Sequence, residues 1–136
     1  MIDHIIIPGT PFAKQRPRHT KRGTTYTPKE TVSFERLVAQ IALQHFHTPL
    51  TGPVRIGITA IFEPAKSWSE KRRASAFGKP HTQRPDADNL AKAICDGMNR
   101  VAFLDDAQIW SLRVEKVWGK EAMTMVDIEE VFHNDA

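Results

Sequence analysis

Asp86 and Asp88 stand two residues apart directly after Pro85, Lys92 follows four residues later, and Asp105-Asp106 form a second acidic pair. Carboxylates are hard oxygen donors, and Mg2+ is usually held by only one or two of them together with waters and substrate phosphates. A cation so placed neutralises a phosphate, lowers the pKa of a bound water and orients an in-line attack. An ammonium at Lys92 can hold the scissile phosphate or stabilise the charge that develops on it. Each piece also has a plainer reading. Asp86 or Asp88 can serve as a helix cap or dipole partner, Lys92 can pair with Asp88 or Asp96 at i, i+4, and Asp105-Asp106 can be a turn.

The elements around these residues decide whether they can meet. Residues 88–99 have helical periodicity: Leu90, Ile94 and Met98 recur every four residues and form a core-facing stripe. Asp88, Lys92 and Asp96 share that spacing about 200° around the helix, away from the core. The short segment Val101-Ala-Phe-Leu104 then carries the chain into Asp105-Asp106, so a return from helix to strand can bring that pair beside Asp86 and Asp88. Upstream, residues 4–7 predict a strand stopped by Pro8-Gly9, and residues 13–26 a loop or irregular hairpin. Thr27-Pro28-Lys29-Glu30 predicts a capping box opening a helix to about residue 46, with Phe34, Leu37, Val38, Ile41 and Ala42 on its apolar face. Residues 54–62 alternate as a half-buried strand, a short helix is expected near 69–77, and residues 109–118 and 123–132 read as strands joined in a hairpin near Gly119. Two main helices among four strands predict a single-domain α+β fold over residues 1–136, with a small mixed or antiparallel sheet.

Charge divides along the chain. Residues 1–84 hold 14 Lys/Arg against 5 Asp/Glu, and residues 85–136 hold 5 against 11. A basic half suits a polyanionic partner, and an acidic half that begins with clustered aspartates suits a metal site. The basic residues concentrate in two loop-like stretches. Lys14, Arg16, Arg18, Lys21 and Arg22 lie in the first, and Lys71, Arg72, Arg73 and Arg84 in the second. From loops such side chains reach DNA backbones through phosphate contacts. Tyr26 and Trp68 are open between stacking on bases and packing internally, while Phe77 is read as core. Trp110 and Trp118 fall on one face of their strand and are read as core or dimer interface.

No apolar run approaches the roughly 18 residues of a membrane span, the opening Met1-Ile-Asp-His-Ile5 lacks a signal peptide's charged n-region, and the lone Cys95 excludes an internal disulfide. A soluble cytoplasmic protein is expected. The six histidines show no metal-ligand spacing, and His45 and His47 are read as surface residues.

The segment Arg84-Pro-Asp-Ala-Asp-Asn-Leu-Ala-Lys92, followed by Leu104-Asp-Asp-Ala-Gln-Ile109, resembles the RusA family of Holliday junction resolvases. That family's pattern runs D-x-D-N-L-x-K and then D-D-x-Q-[IV], and every position matches. The resemblance extends to the N-terminal basic loop, the helix 28–46 and the strand 54–62. It implies metal-binding catalytic acids at Asp86, Asp88 and Asp106, with Asp105 a further candidate ligand, and Lys92 as the essential basic residue near the phosphate. It also implies Mg2+, with Mn2+ as a substitute, a homodimer, and paired nicking of a four-way DNA junction in recombination and repair. Residues 64–84 look longer than in compact members of the family. Two other readings compete: a divalent-metal nuclease for flaps or single strands, and a non-catalytic DNA-binding module whose carboxylates hold a structural ion.

Overall fold

A computed structural model describes residues 2–131. In chain order the elements are β1 (Ile2–Pro8), β2 (Arg18–His19), β3 (Thr25–Tyr26), α1 (Lys29–His45), β4 (Val54–Phe62), α2 (Glu70–Ala76), α3 (Ala87–Met98), β5 (Ile109–Trp118) and β6 (Met123–Glu130). The expected end of the last strand at residue 132 lies outside the described residues. The fold is α+β: a mixed four-stranded sheet in the order β1-β6-β4-β5, with β2 and β3 pairing separately as a small hairpin. No helix among the described residues is long and apolar enough to cross a membrane.

The alternation in β4 translates directly into burial. Val54, Ile56, Ile58, Ala60 and Phe62 all point into the core, under α1 and α3. Leu90, Ile94 and Met98 of α3 meet the same core, as their spacing predicts. On α1 the inward stripe is Val38 and Ala42, flanked by half-buried Phe34 and Ile41, and Leu37 is exposed. The two helices approach closely at Gly97, where a Cβ would lie 2.6 Å from the Val38 Cβ. Only glycine allows that packing.

Besides the exposure of Leu37, a residue expected on the apolar face of α1, the structure corrects two expectations. Thr27 does not cap α1. Pro28 occupies the cap position with no side-chain cap bond, and the hydroxyl of Thr27 falls one residue too early. The second correction concerns the last two strands, which do not form a hairpin. β5 pairs parallel with β4, and β6 inserts antiparallel between β4 and β1. A strand buried as regularly as β4 needs a partner on each edge, and the long crossover through residues 63–108 can deliver a parallel one. The turn at Gly119 therefore passes over the end of β4: the Gly119 amide donates to the Phe62 carbonyl at 2.9 Å, and a Cβ there would meet Ile61 Cγ2 at 2.5 Å.

β5 is left at the sheet edge, where unpaired backbone invites association unless it is covered. Residues 78–81 cover its C-terminal half through the bonds Gly78 N to Trp118 O, Trp118 N to Lys79 O and His81 N to Lys116 O. Its N-terminal half, from Ile109 to Leu112, stays open beside α3.

Candidate active site

The opening between α3 and the uncovered half of β5 is a groove of about 790 Å³. Asp88, Lys92 and Asp96 reach it from the outer face of α3, Asp106 from the turn before β5, and Lys14 and Arg16 from the N-terminal loop. The outward face of α3 thus turns toward the groove, as the 200° offset from Leu90, Ile94 and Met98 requires.

Local chemistry fixes each carboxylate. Asp86 is the N-cap residue of α3, yet its side chain makes no capping bond, so its exposed carboxylate is not consumed by the helix. Asp88 stands in the first turn of α3 and accepts from the Asn89 amide at 2.9 Å. Asp105 and Asp106, adjacent in sequence, diverge in role. Asp105 caps the 3₁₀ turn Asp106–Gln108, accepting from the Ala107 amide at 3.0 Å while Gln108 accepts from the Asp105 amide at 2.8 Å. Gln108 also donates to the Leu50 and Gly52 carbonyls, both at 2.9 Å, which ties the turn to the chain ahead of β4. Asp106 is left facing the groove. Asp86 and Asp105 do not line it.

Lys92 is exposed and makes no ion pair among the described residues, so the pairing with Asp88 or Asp96 that its spacing allows is not formed. Asp96 is bound instead by Lys14, at 2.5 Å, and Lys14 also reaches Glu35 of α1 at 3.1 Å. Burial alone pulls the Lys14 pKa down, but the hydrogen bonds to Asp96 and Glu35, reinforced by their charges, outweigh it and raise the pKa above the ordinary lysine value. Lys14 is therefore a bracket between α1 and α3 rather than a free phosphate contact. The Lys14 amide donates to the Asn89 carbonyl at 2.9 Å, and Gln15 is bonded to the buried Thr31, so the root of the basic loop is fixed over α3. Beyond it Arg16, Arg18, Lys21 and Arg22 are all exposed. Cys95 lies beneath the groove with its thiol pushed up to about 12, by burial first and then by the charges of Asp96 and Asp106.

The aromatic residues sort themselves. Trp110, 56% exposed, lines the groove beside Leu112, with the Arg55 guanidinium 4.9 Å from its ring centre. Trp118 is packed inside the chain against Trp68 and His81. Trp68 in turn carries Arg72 at 3.7 Å over its ring, Phe77 is half-buried at the end of α2, and Tyr26 is exposed on the hairpin. Lys71, Arg72, Arg73 and Arg84 lie on α2 and the segment after it; Arg73 is half-buried and the others are exposed.

Two residues near the site gave no sequence signal. His81 is buried, stacked on Phe62 with ring centres 4.0 Å apart, and its pKa is lowered by burial and by the nearby Lys116 charge. Lys116 of β5 donates to the Gln83 and Pro85 carbonyls, both at 2.6 Å. These bonds span more than thirty residues, and nothing local marks them.

The carboxylates facing the groove are hard oxygen donors, and the one sulfur there, the Cys95 thiol, has its pKa pushed up to about 12, so the set suits Mg2+ better than a softer ion. Among the described residues no three His, Cys, Asp or Glu side chains converge into a ready-made cation cage. Mg2+ does not require one, since it commonly shares one or two carboxylates with substrate phosphates and water.

The family described as Endodeoxyribonuclease RusA matches residues 8–129. A protein of Bacillus subtilis (strain 168) described as "Uncharacterized protein YqaN" is 34% identical over 131 residues, which cover 90% of this chain and 92% of that protein.

Proposed function

We propose, from the premise that this chain belongs to the RusA endodeoxyribonuclease family, that it is one endonuclease domain over residues 1–136 that resolves four-way DNA junctions by metal-dependent hydrolysis. The observation that carries this reading is the convergence of Asp88, Lys92 and Asp106 on one groove under a fixed basic loop.

Asp88 and Asp106 would hold Mg2+, or Mn2+ in its place, with Asp86 adjacent at the head of α3. When bound, the cation supplies an activated water and neutralises the phosphate. Lys92, unpaired with any acid among the described residues, puts its ammonium on the non-bridging oxygens of the scissile phosphate. Asp105 supports the centre by holding the turn that presents Asp106. Arg16, Arg18, Lys21 and Arg22 grip the flanking backbone from the N-terminal loop, and Lys71, Arg72, Arg73 and Arg84 from the other side; such contacts set affinity and register but not base sequence. Lys14, occupied by Glu35 and Asp96, contributes by fixing the loop rather than by touching DNA.

One groove cuts one strand at a time, and a two-fold homodimer would supply the second cut in register with the symmetry of the junction. Trp118 packs against Trp68 and His81 within the chain. The helix-free face of the sheet exposes Ile6 and Met125 as cross-strand neighbours, and with Trp110 and Leu112 these are exposed apolar strand residues open to a second copy. A cytoplasmic setting in recombination and repair suits such an enzyme, whose one cysteine is buried and protonated.

The test is cleavage of one labelled sequence presented as a four-way junction, a flap and a linear duplex, with and without Mg2+. Metal-dependent paired nicks in the junction, well above the other two substrates, support the reading. Equal cutting of flaps would favour the broader nuclease, and binding without cutting a DNA-binding module.

A further inference from the structure

We propose that Lys116 is a positioning residue of the cutting centre: its ammonium tethers the segment 83–85 to the sheet and so sets where Asp86 and Asp88 stand. The proposal rests on the reading of those aspartates given above. Lys116 lies across from the buried Ala60 on the helix-bearing side of the sheet. The ammonium donates to Gln83 O and Pro85 O, each at 2.6 Å. No carboxylate pairs with it among the described residues. Two of its three donors are thus committed to main-chain oxygens of one loop.

The tether is well placed to matter. Residues 78–81 are stitched to β5 by backbone bonds, whereas among the described residues the two Lys116 bonds are the only hydrogen bonds reaching 82–85. Asp86 follows immediately, with a carboxylate that no cap bond restrains, and α3 with Asp88 starts from it. A lysine acting only through its charge would not need two carbonyls of this segment. A tether does, because without it the chain between His81 and α3 is free to shift, and a displacement of about 1 Å at a reacting centre costs on the order of 100-fold in rate.

The experiment compares wild type with Lys116→Met, which keeps the stem without the donors, and Lys116→Arg, whose guanidinium can donate to two carbonyls. Hydrogen–deuterium exchange of the free protein, without DNA or metal, should show the first hydrogen-bonded amides of α3, residues 89–92, exchanging about tenfold or more faster in Lys116→Met while β4 and β6 stay protected. Junction cleavage by that variant should lose about 100-fold in kcat with KM little changed, and Lys116→Arg should recover most of both readouts. Exchange at 89–92 unchanged in Lys116→Met, or cleavage at the wild-type rate, would overturn the proposal. Should Lys116→Met not fold, Lys116→Gln, which keeps one donor, must show the same two changes in weaker form, and wild-type behaviour there is equally fatal. A wild type that cuts no junction would sink the cutting-centre reading alone, since the exchange result still decides whether Lys116 tethers the loop.

Discussion

Asp105 and Gln108 lock one turn between them: the Gln108 side chain accepts from the Asp105 amide at 2.8 Å while the Asp105 carboxylate accepts from the next amide but one, that of Ala107, at 3.0 Å. Gln108 spends its own amide hydrogens on the Leu50 and Gly52 carbonyls. Two residues of the D-D-x-Q run are thus structural, and their work leaves Asp106 facing the groove. The division predicts opposite outcomes for neighbouring aspartates. Asp105→Asn keeps an acceptor oxygen and should retain most activity, whereas Asp105→Ala should cost about 1 kcal/mol of stability. Asp106→Asn should abolish cleavage with an unchanged melt. Loss of activity in Asp105→Asn equal to that in Asp106→Asn, in a fully folded protein, would contradict the division.

Lys92→Ala should lower the cleavage rate sharply and leave stability within about 0.5 kcal/mol, as for an exposed residue with no partner to lose. Thermal melts followed by circular dichroism, run beside cleavage assays, check both halves. A large fall in melting temperature would reveal a structural ion pair that the arrangement of Lys14, Asp96 and Lys92 does not contain.

The two kinds of basic residue near the groove should separate in salt titrations of junction binding. On the proposed reading Arg16 contacts phosphate, so Arg16→Ala should flatten the logarithmic salt slope by roughly 0.9. Lys14→Ala should leave the slope alone and lower the melting temperature, because Lys14 is spent on Glu35 and Asp96. A flattened slope in Lys14→Ala would return that residue to the DNA.

Legibility in the sequence followed the range of the interactions. The alternation of β4 and the four-residue stripe of α3 are local, and they give the right faces without any knowledge of partners. The same period-2 pattern says nothing about which strand lies beside which, so β5 and β6, close in sequence, read as a hairpin although β4 runs between them. Gly119 marks a turn in either arrangement; only the approach to Ile61 distinguishes a hairpin from a passage over β4. At the groove, the shared face of Asp88 and Lys92 was legible because one helix sets their spacing. The clamp of Lys14 on Asp96 and the tether from Lys116 join residues far apart in the chain and left no trace in composition or periodicity.

His81 gives the protein an acid limit. Buried between Phe62 and Trp118, with its Nδ1 unpartnered, it stays neutral in the folded chain because its pKa is held below the ordinary 6.5. The unfolded chain therefore binds the extra proton first: the full stability is present above pH 6.5 and is lost as the pH falls below it toward the depressed folded value. Melting temperatures of wild type and His81→Phe should diverge between pH 7.5 and pH 5.5, with wild type losing more. Parallel curves would show that His81 does not titrate with unfolding.

The most direct test of the account is to follow binding and cutting of one labelled four-way junction by wild type and Asp88→Asn, with and without Mg2+. The account predicts that wild type cuts only with Mg2+, while Asp88→Asn binds as tightly or more tightly and does not cut, since the substitution removes the proposed metal ligand and a negative charge beside phosphate. Cleavage by Asp88→Asn at the wild-type rate, or cleavage by wild type that persists in a metal chelator, would contradict it.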